Sequence, residues 1–187
     1  MSGLAHAPAR AGSTVVPVDF GHASAEAFKD GMRRLAQPVA IATVARAKER
    51  AGLTISSFCS LSVDPPRVMA CISHSAGAFP LIARGAAMAI NVLAQGQAGM
   101  GQRFASSSIK GETRFDVGHW DTGVCGAPVL RDALTVFDGR VRDVVDAGTH
   151  SIVTVDVVAV CGAATDGPLL YAAGGFTGLA PGAQGDE

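Results

Sequence analysis

The sequence has little charge and no excess of either sign. Charged residues make up 17% of the 187 residues, and 15 Lys and Arg side chains stand against 16 Asp and Glu side chains, for a formal net charge of -1. Binding to nucleic-acid phosphates needs a basic excess, so we expect no nucleic-acid partner. Because 48% of the residues are apolar, long disorder is excluded as well.

Long hydrophobic runs and paired cysteines are also missing. No stretch of about eighteen apolar residues occurs, so we expect neither a membrane span nor a secretion signal. The cysteines form no CxxC pair, which favours reduced thiols and a cytoplasmic protein; they are Cys59, Cys71, Cys125 and Cys161. The length suits one domain over 21–179, with a mobile Ala/Gly/Pro-rich tail at 1–20 and a loose tail at 180–187.

Several sequence motifs of catalysis are absent. The glycines of GQAGMG, Gly96, Gly99 and Gly101, lack the GxGxxG spacing, and there is no P-loop, HExxH, GxSxG or EF-hand pattern. The five histidines never fall as HxH or HxxxH, so we predict no metal site. Any chemistry is therefore expected to come from an organic cofactor.

The patterns that are present predict a mostly β chain. Ser24 is expected to cap a short helix in which Phe28, Met32 and Leu35 recur at i, i+4 and i+7. The polar stretch 46–52 is expected to form a hairpin loop. Only two further short helices are predicted, near 80–84 and 97–105. The other predicted strands are Val39 to Ala45, Val68 to Ser73, Met88 to Leu93, Leu134 to Val145, Ile152 to Val160 and Leu169 to Ala172. So many strands with few helices between them favour an antiparallel barrel with flanking helices.

The stretch 52–66, GLTISSFCSLSVDPP, has two different faces if it forms one strand. The odd positions from Leu53 to Val63 are largely apolar, whereas the even positions carry four hydroxyls and Phe58. Such a face suits a planar polar ligand. The alternative is a half-buried strand whose hydroxyls meet water.

Several sequence motifs, which match a known family pattern in the same order along the chain, decide between these interpretations. GLTISSFCSLSVDPP followed by RVMACISHSA is similar to the signature of the flavin reductase family of FMN-binding split barrels, GxTANSFxSxSxDPPxxxxCxxxSA. MAINVLAQGQ, RFA, RFDVGHWDTGVCGAPVL, GTHSI, and LLY with a later GGF also match the family pattern. The resemblance runs from about Phe28 to Phe176. The spellings GTH and WDTGVCGAP are closest to reductases that serve two-component flavin monooxygenases, including those of pyrimidine degradation.

This resemblance implies a fold and a set of site residues. The fold is an FMN-binding split barrel of six to seven antiparallel strands, paired as a homodimer. His150 is implied to orient the nicotinamide or the flavin by a hydrogen bond. The residues implied to bind the flavin are Thr54, Ser56, Ser57, Phe58, Cys59, Ser60, Cys71, Ser73, Ser75, Ala76, Gln97, Arg103, Phe104, Tyr171 and Phe176.

Some of these residues have a plain structural alternative. Ser75 would also serve as a helix N-cap, and Arg103, late in a helix, as a solvated charge. His150 would also cap the start of the strand that follows it. Trp120, the single tryptophan, is expected to be a packing anchor.

The implied function is an NAD(P)H-dependent FMN reductase that supplies reduced flavin to a partner monooxygenase. FAD in place of FMN and NADPH in place of NADH stay open. Two alternatives are a flavin-binding module without reductase activity and a flavoprotein that reduces a bound corrinoid or ferric complex. Because no glycine-rich phosphate loop or arginine cluster is visible, we expect the flavin to be an exchangeable substrate.

Overall fold

A computed structural model describes residues 21–163 and 166–180 of the chain. The predicted N-terminal tail and all but the first residue of the predicted C-terminal tail lie outside these ranges. Helix α1 spans Ala25–Arg33, and its N-cap Ser24 accepts a hydrogen bond from the Ala27 N–H, as the sequence predicts. A second α-helix, α2, spans Ala98–Ala105. No helix in the described part of the chain is long and apolar enough to cross a membrane.

Strands dominate the fold, and three short 3-10 helices cover Phe79–Leu81, Gln95–Gln97 and Gly111–Asp116. The strands are β1 (Gln37–Pro38), β2 (Ala40–Arg46), β3 (Glu49–Ile55), β4 (Phe58–Ser62), β5 (Arg67–Ser73), β6 (Ala87–Val92), β7 (Trp120–Thr122), β8 (Pro128–Leu130), β9 (Thr135–Asp146), β10 (His150–Cys161), β11 (Leu170–Ala172) and β12 (Gly175–Thr177). The predicted strands beginning at Val68, Met88, Leu134, Ile152 and Leu169 are therefore confirmed.

Seven strands form one antiparallel sheet in the order β3-β2-β6-β9-β10-β5-β4. The two edge strands, β3 and β4, follow each other in the chain, separated by Ser56 and Ser57 alone. A link this short keeps the two edges of the sheet near each other, so the sheet must curl. The antiparallel barrel predicted from the sequence is confirmed. Two small sheets, β1-β11-β12 and β7-β8, flank it.

Apolar side chains pack inside the curled sheet and against part of its outer face. Inside, Ile72, Met88, Ile90 and Val153 belong to one buried cluster. On the outer face, a second cluster joins β2 and β6 to α2, the 3-10 helix Gly111–Asp116 and β8. Strands β2 and β6 are buried on both faces, which explains why their sequences are mostly apolar and do not alternate with polar residues.

Two sequence predictions about this region are wrong. The hairpin between β2 and β3 turns at Ala47 and Lys48, so the predicted loop 46–52 is mostly strand. The stretch 52–66 is not one strand, because the chain leaves β3 at Ile55 and enters β4 on the opposite edge of the sheet. The odd-numbered apolar residues consequently do not share one buried face: Ile55 is buried, whereas Leu61 and Val63 are exposed.

Candidate functional site

A cleft of about 760 Å³ opens between three segments of the chain. Its floor is formed by residues 51–54 of β3. One side, the 75–78 wall, follows β5; the other side, the 104–114 wall, follows from the end of α2. The volume lies within the range of small-molecule sites. Four of the residues predicted to bind flavin line it, namely Thr54, Ser75, Ala76 and Phe104.

Arg114 fastens the 104–114 wall to the floor. Its Nε donates to the Ile109 carbonyl at 2.8 Å, and its Nη2 donates to the Ser106 carbonyl at 2.6 Å. Its Nη1 donates to the carbonyls of Phe104 and, at 3.3 Å, Gly52. Burial lowers the pKa of the guanidinium, which still stays charged near neutral pH. Because a guanidinium has five N–H groups, Arg114 has about one left for a ligand.

Arg103 makes similar contacts with the same wall but does not line the cleft. Its Nε donates to the Arg114 carbonyl at 3.1 Å, and its Nη2 donates to the Thr113 carbonyl. Asp116 lies 3.8 Å from the same Nη2. The alternative of a solvated charge is wrong, because the guanidinium is half-buried and hydrogen-bonded. A role of Arg103 toward a flavin phosphate stays a prediction.

The 75–78 wall begins with a compact serine turn. The hydroxyls of Ser73 and Ser75 lie 2.9 Å apart, and the Ser75 N–H donates to the Ser73 hydroxyl at 3.3 Å. The Ala76 N–H, predicted to meet a phosphate, donates to the Ser73 carbonyl at 3.1 Å. The alternative role of Ser75 as a helix N-cap is wrong, since the next helix begins at Phe79 with Ala78 as its N-cap.

The floor is pressed closely against α2. The Thr54 hydroxyl donates to the Gly101 carbonyl at 2.6 Å, so toward a ligand it can act only as an acceptor. A Cβ added at Gly52 would lie 2.7 Å from the ring of Phe104, closer than side chains tolerate. The buried Phe104 ring also contacts Trp120, with ring centroids 5.4 Å apart, which confirms Trp120 as a packing residue.

His150 lies beside the 75–78 wall. It is paired with Ser73 across β10 and β5, and its Nδ1 lies 2.9 Å from the Thr149 hydroxyl. The ring therefore bonds a neighbouring side chain instead of capping backbone groups of the strand. Since Nδ1 is engaged, Nε2 is the nitrogen available to a ligand.

The remaining predicted residues lie around the two edges of the sheet. Ser56 donates to the Gln37 side chain at 3.1 Å, and Ser57 donates to the Cys71 carbonyl at 2.9 Å. Phe58 packs against the inner core, and Cys59 and Ser60 are exposed on β4. None of these residues lines the cleft of a single chain.

Gln97 directly precedes α2, and Tyr171 and Phe176 belong to β11 and β12. The Gln97 side chain accepts from the Ala94 N–H and donates to the Asp132 carbonyl, both at 2.8 Å. The rings of Tyr171 and Phe176 meet edge to face, 5.7 Å apart, in the sheet of β1, β11 and β12. Their roles toward flavin stay predictions.

Four polar residues that line the cleft were not predicted from the sequence: Ser106, Ser107, Lys110 and Arg114. The signal that could have found them is SSSIKGETR, a donor-rich run directly after α2. Lys110 has no carboxylate within ion-pair distance among residues 21–163 and 166–180. It is therefore a cation available to an anionic ligand.

The cleft combines two kinds of surface that suit a flavin nucleotide. Ala51, Leu53, Ala78 and Phe104 give it apolar contact area for a planar ring. Serine hydroxyls and the Lys110 ammonium give donors for a phosphate. The residues present therefore fit FMN.

A curled seven-stranded barrel with such a cleft is the architecture of a flavin-binding split barrel. The chain belongs to the flavin reductase like domain family, whose model matches residues 32–180. It is 34% identical over 154 residues to an FMN reductase (NADH), RutF, of Stutzerimonas stutzeri, covering 82% of this chain and 88% of the relative.

Solved structures agree with this membership. A flavin reductase domain protein from Arthrobacter sp. FB24 superposes with a TM-score of 0.76 at 30% identity, covering 83% of this chain and 96% of that protein. BorF, the flavin reductase component of a bacterial two-component tryptophan halogenase, superposes with a TM-score of 0.75 at 27% identity, covering 83% and 98% of the two chains.

Proposed function

We propose that this chain is an NADH-dependent FMN reductase whose flavin lies in the cleft between the 75–78 wall and the 104–114 wall. The observation that carries the proposal is the pairing, in one cleft, of the apolar Phe104 side with the free cation Lys110. The flavin supplies the hydride-accepting ring, and the chain binds it, orients it and excludes water. The name of the RutF relative supports FMN and NADH as the pair used.

The role of Lys110 can be tested by comparing FMN with riboflavin, which lacks the phosphate. We expect Lys110→Met to weaken FMN binding about tenfold, because a charge-assisted hydrogen bond is lost, and to leave riboflavin binding unchanged. Flavin fluorescence quenching measures both affinities. The matched control is Lys48→Met, in the β2–β3 turn and away from the cleft. Equal losses for FMN and riboflavin would place the phosphate elsewhere.

Reductase activity itself is tested by following NADH absorbance with and without added FMN. Rapid, FMN-dependent oxidation supports the proposal. Flavin binding without NADH oxidation would favour a flavin-binding module. Oxidation that needs a corrinoid or ferric acceptor would favour reduction of a bound acceptor.

The contacts of the two arginines support an exchangeable flavin. Arg103 and Arg114 donate most of their N–H groups to backbone carbonyls, which leaves Lys110 as the main charged donor in the cleft. Neutral hydrogen bonds contribute about 1 kcal/mol each, so we expect micromolar binding. Dialysis should remove FMN from the purified protein. Retention of FMN through dialysis would contradict free exchange.

His150 is proposed to orient the nicotinamide or the flavin through Nε2. His150→Ala should lower the hydride-transfer rate, measured by stopped flow, more than it weakens flavin binding. A drop in melting temperature with equal losses of rate and affinity would instead show a structural role.

Reduced FMN released from the cleft is proposed to feed a separate flavin-dependent monooxygenase. The similarity to BorF, the reductase component of a two-component halogenase, supports this kind of partnership. Mixing the protein with NADH, FMN and an unrelated flavin-dependent hydroxylase should give hydroxylation. Hydroxylation only with a physically attached partner would contradict transfer by diffusion. The cytoplasmic location expected from the sequence stays a prediction.

A homodimer is proposed from exposed apolar side chains in α1 and directly after it. Phe28, Met32 and Leu35 are 64%, 38% and 50% exposed, and no residue of α1 is buried. A helix of nine residues is not stable in water without tertiary packing. A second copy is the occupant that is always present with the chain, so we expect it to cover this face. Light scattering should give about twice 18.9 kDa; an active monomer would contradict the dimer.

A further inference from the structure

A histidine that sequence analysis passed over, His74, connects the 75–78 wall to the strand that begins with His150. Its Nε2 lies 2.9 Å from the hydroxyl of Ser151, and its backbone N–H donates to the Thr149 carbonyl at 3.0 Å. Its ring also contacts the ring of Phe79, with centroids 4.6 Å apart. His74 therefore contacts both the start of β10 and the 3-10 helix that follows the wall.

A serine hydroxyl beside an imidazole is also the geometry of an activated nucleophile, and here that interpretation fails. Ser151 is only 2% exposed, so no substrate reaches its hydroxyl. No carboxylate orients the His74 ring within residues 21–163 and 166–180. The pair therefore holds structure in place and does not perform chemistry.

Because Ser151 is buried, its hydroxyl needs a hydrogen-bond partner within the protein. A buried hydroxyl without a partner is unfavourable, so Ser151 keeps His74 close to β10. His74 directly precedes Ser75, the first residue of the wall, and Ser151 directly follows His150. The bond therefore connects the residue next to the 75–78 wall with the residue next to His150.

We propose that the bond between His74 and Ser151 fixes the position of the 75–78 wall relative to His150, which makes His74 a positioning residue for flavin reduction. This rests on the proposed function, because it assumes that the cleft holds the flavin. Loss of the bond frees the wall, so that both flavin affinity and the alignment with His150 suffer. The fold itself stays, since the inner core and the β5–β10 pairing do not depend on His74.

Four variants test the proposal. His74→Leu and Ser151→Ala each remove one partner, and His74→Gln keeps a polar group able to reach the serine. We expect His74→Leu and Ser151→Ala each to weaken FMN binding about fivefold. The double variant should bind FMN no more weakly than His74→Leu alone, because both changes remove the same bond. His74→Gln should recover most of the lost affinity. His119→Gln, at an exposed histidine away from the cleft, is the control and should bind FMN normally.

Amide hydrogen exchange gives a readout that needs neither flavin nor activity. His74→Leu and Ser151→Ala should each speed exchange in residues 75–78, whereas exchange in the centre of β5 should stay slow. If the effects of the two single variants multiply in the double variant, or if exchange in the wall is unchanged, the proposal is overturned. Faster exchange in the wall of a protein that oxidises no NADH would keep the positioning bond and reject the proposed function.

Discussion

The two walls of the cleft are held by bonds of different strength. The 104–114 wall is held by the charged guanidinium of Arg114, which reaches carbonyls of α2, of the following loop and of the floor. The 75–78 wall is held by hydrogen bonds among serines and between His74 and Ser151, none of which involves a permanently charged group. Charge-assisted bonds are about twice as strong as neutral ones. We therefore expect the 104–114 wall to be the more firmly held of the two.

The largest expected effect comes from removing the charged connection. Arg114→Met leaves carbonyls of three segments without their donor, so we expect the free energy of unfolding to fall by about 2 to 4 kcal/mol. Urea denaturation measures the change. The control is Arg131→Met, whose guanidinium bonds the exposed Asp121 and should leave the midpoint almost unchanged. A similar small effect at Arg114 would remove the difference between the walls.

A glycine of the floor, packed against the 104–114 wall, and a glycine of the 75–78 wall sharpen the comparison. Gly52→Ala forces a methyl group against the buried Phe104 ring, and we expect a loss of about 1 to 3 kcal/mol in unfolding free energy. Gly77→Ala in the 75–78 wall meets nothing within 4 Å and is the control. Thermal melts of both variants measure the difference. Equal melting temperatures would show that the contact between the floor and Phe104 tolerates extra volume.

The hydroxyl of Thr54 tests the connection between the floor and α2. Thr54→Val keeps the shape of the side chain and removes its bond to the Gly101 carbonyl, so we expect a loss of about 1 kcal/mol. Thr177→Val, at an exposed threonine of β12, provides the baseline for the same substitution. If both variants unfold at the same urea concentration, the bond contributes nothing measurable.

The smallest effect is expected from an ion pair on the two strands that carry the 75–78 wall. A hydrogen bond from Arg67 in β5, at 2.6 Å, lowers the pKa of Asp156 in β10. Because the folded-state pKa is lower than the unfolded one, the stabilisation is present above the unfolded pKa of about 4 and is lost as the pH falls further. Asp156→Asn should thus melt lower than the parent chain at neutral pH, and the two should converge in acid. A gap that persists in strong acid would contradict this.

Local signals predicted most of the fold. The i, i+4, i+7 spacing of Phe28, Met32 and Leu35 and the cap at Ser24 predicted α1 correctly, because helix periodicity and capping depend on neighbouring residues. All three side chains are exposed in the single chain. Periodicity shows which side chains share a face, and it does not show what covers that face.

The hydroxyl stretch shows where alternation stops being informative. Its period of two predicted one strand from Leu53 to Val63, but Ser56 and Ser57 carry the chain between opposite edges of the sheet. Serine occurs in strands, turns and loops alike. The local sequence therefore does not show that the chain passes from one edge of the sheet to the other at Ser56 and Ser57. Thr54 consequently lines the cleft, whereas Ser60 lies exposed on the other edge.

The sequence by itself determined the strands, the capped helix and, through ordered motifs, the family. The tertiary structure alone decided which donors meet which acceptors: Arg114 reaches the Gly52 carbonyl across 62 positions, and His74 reaches Ser151 across 77. The physical reason is that hydrogen bonds between distant residues depend on the register and curl of a whole sheet. Strand propensity and alternation are set by near neighbours, so they carry no record of such contacts.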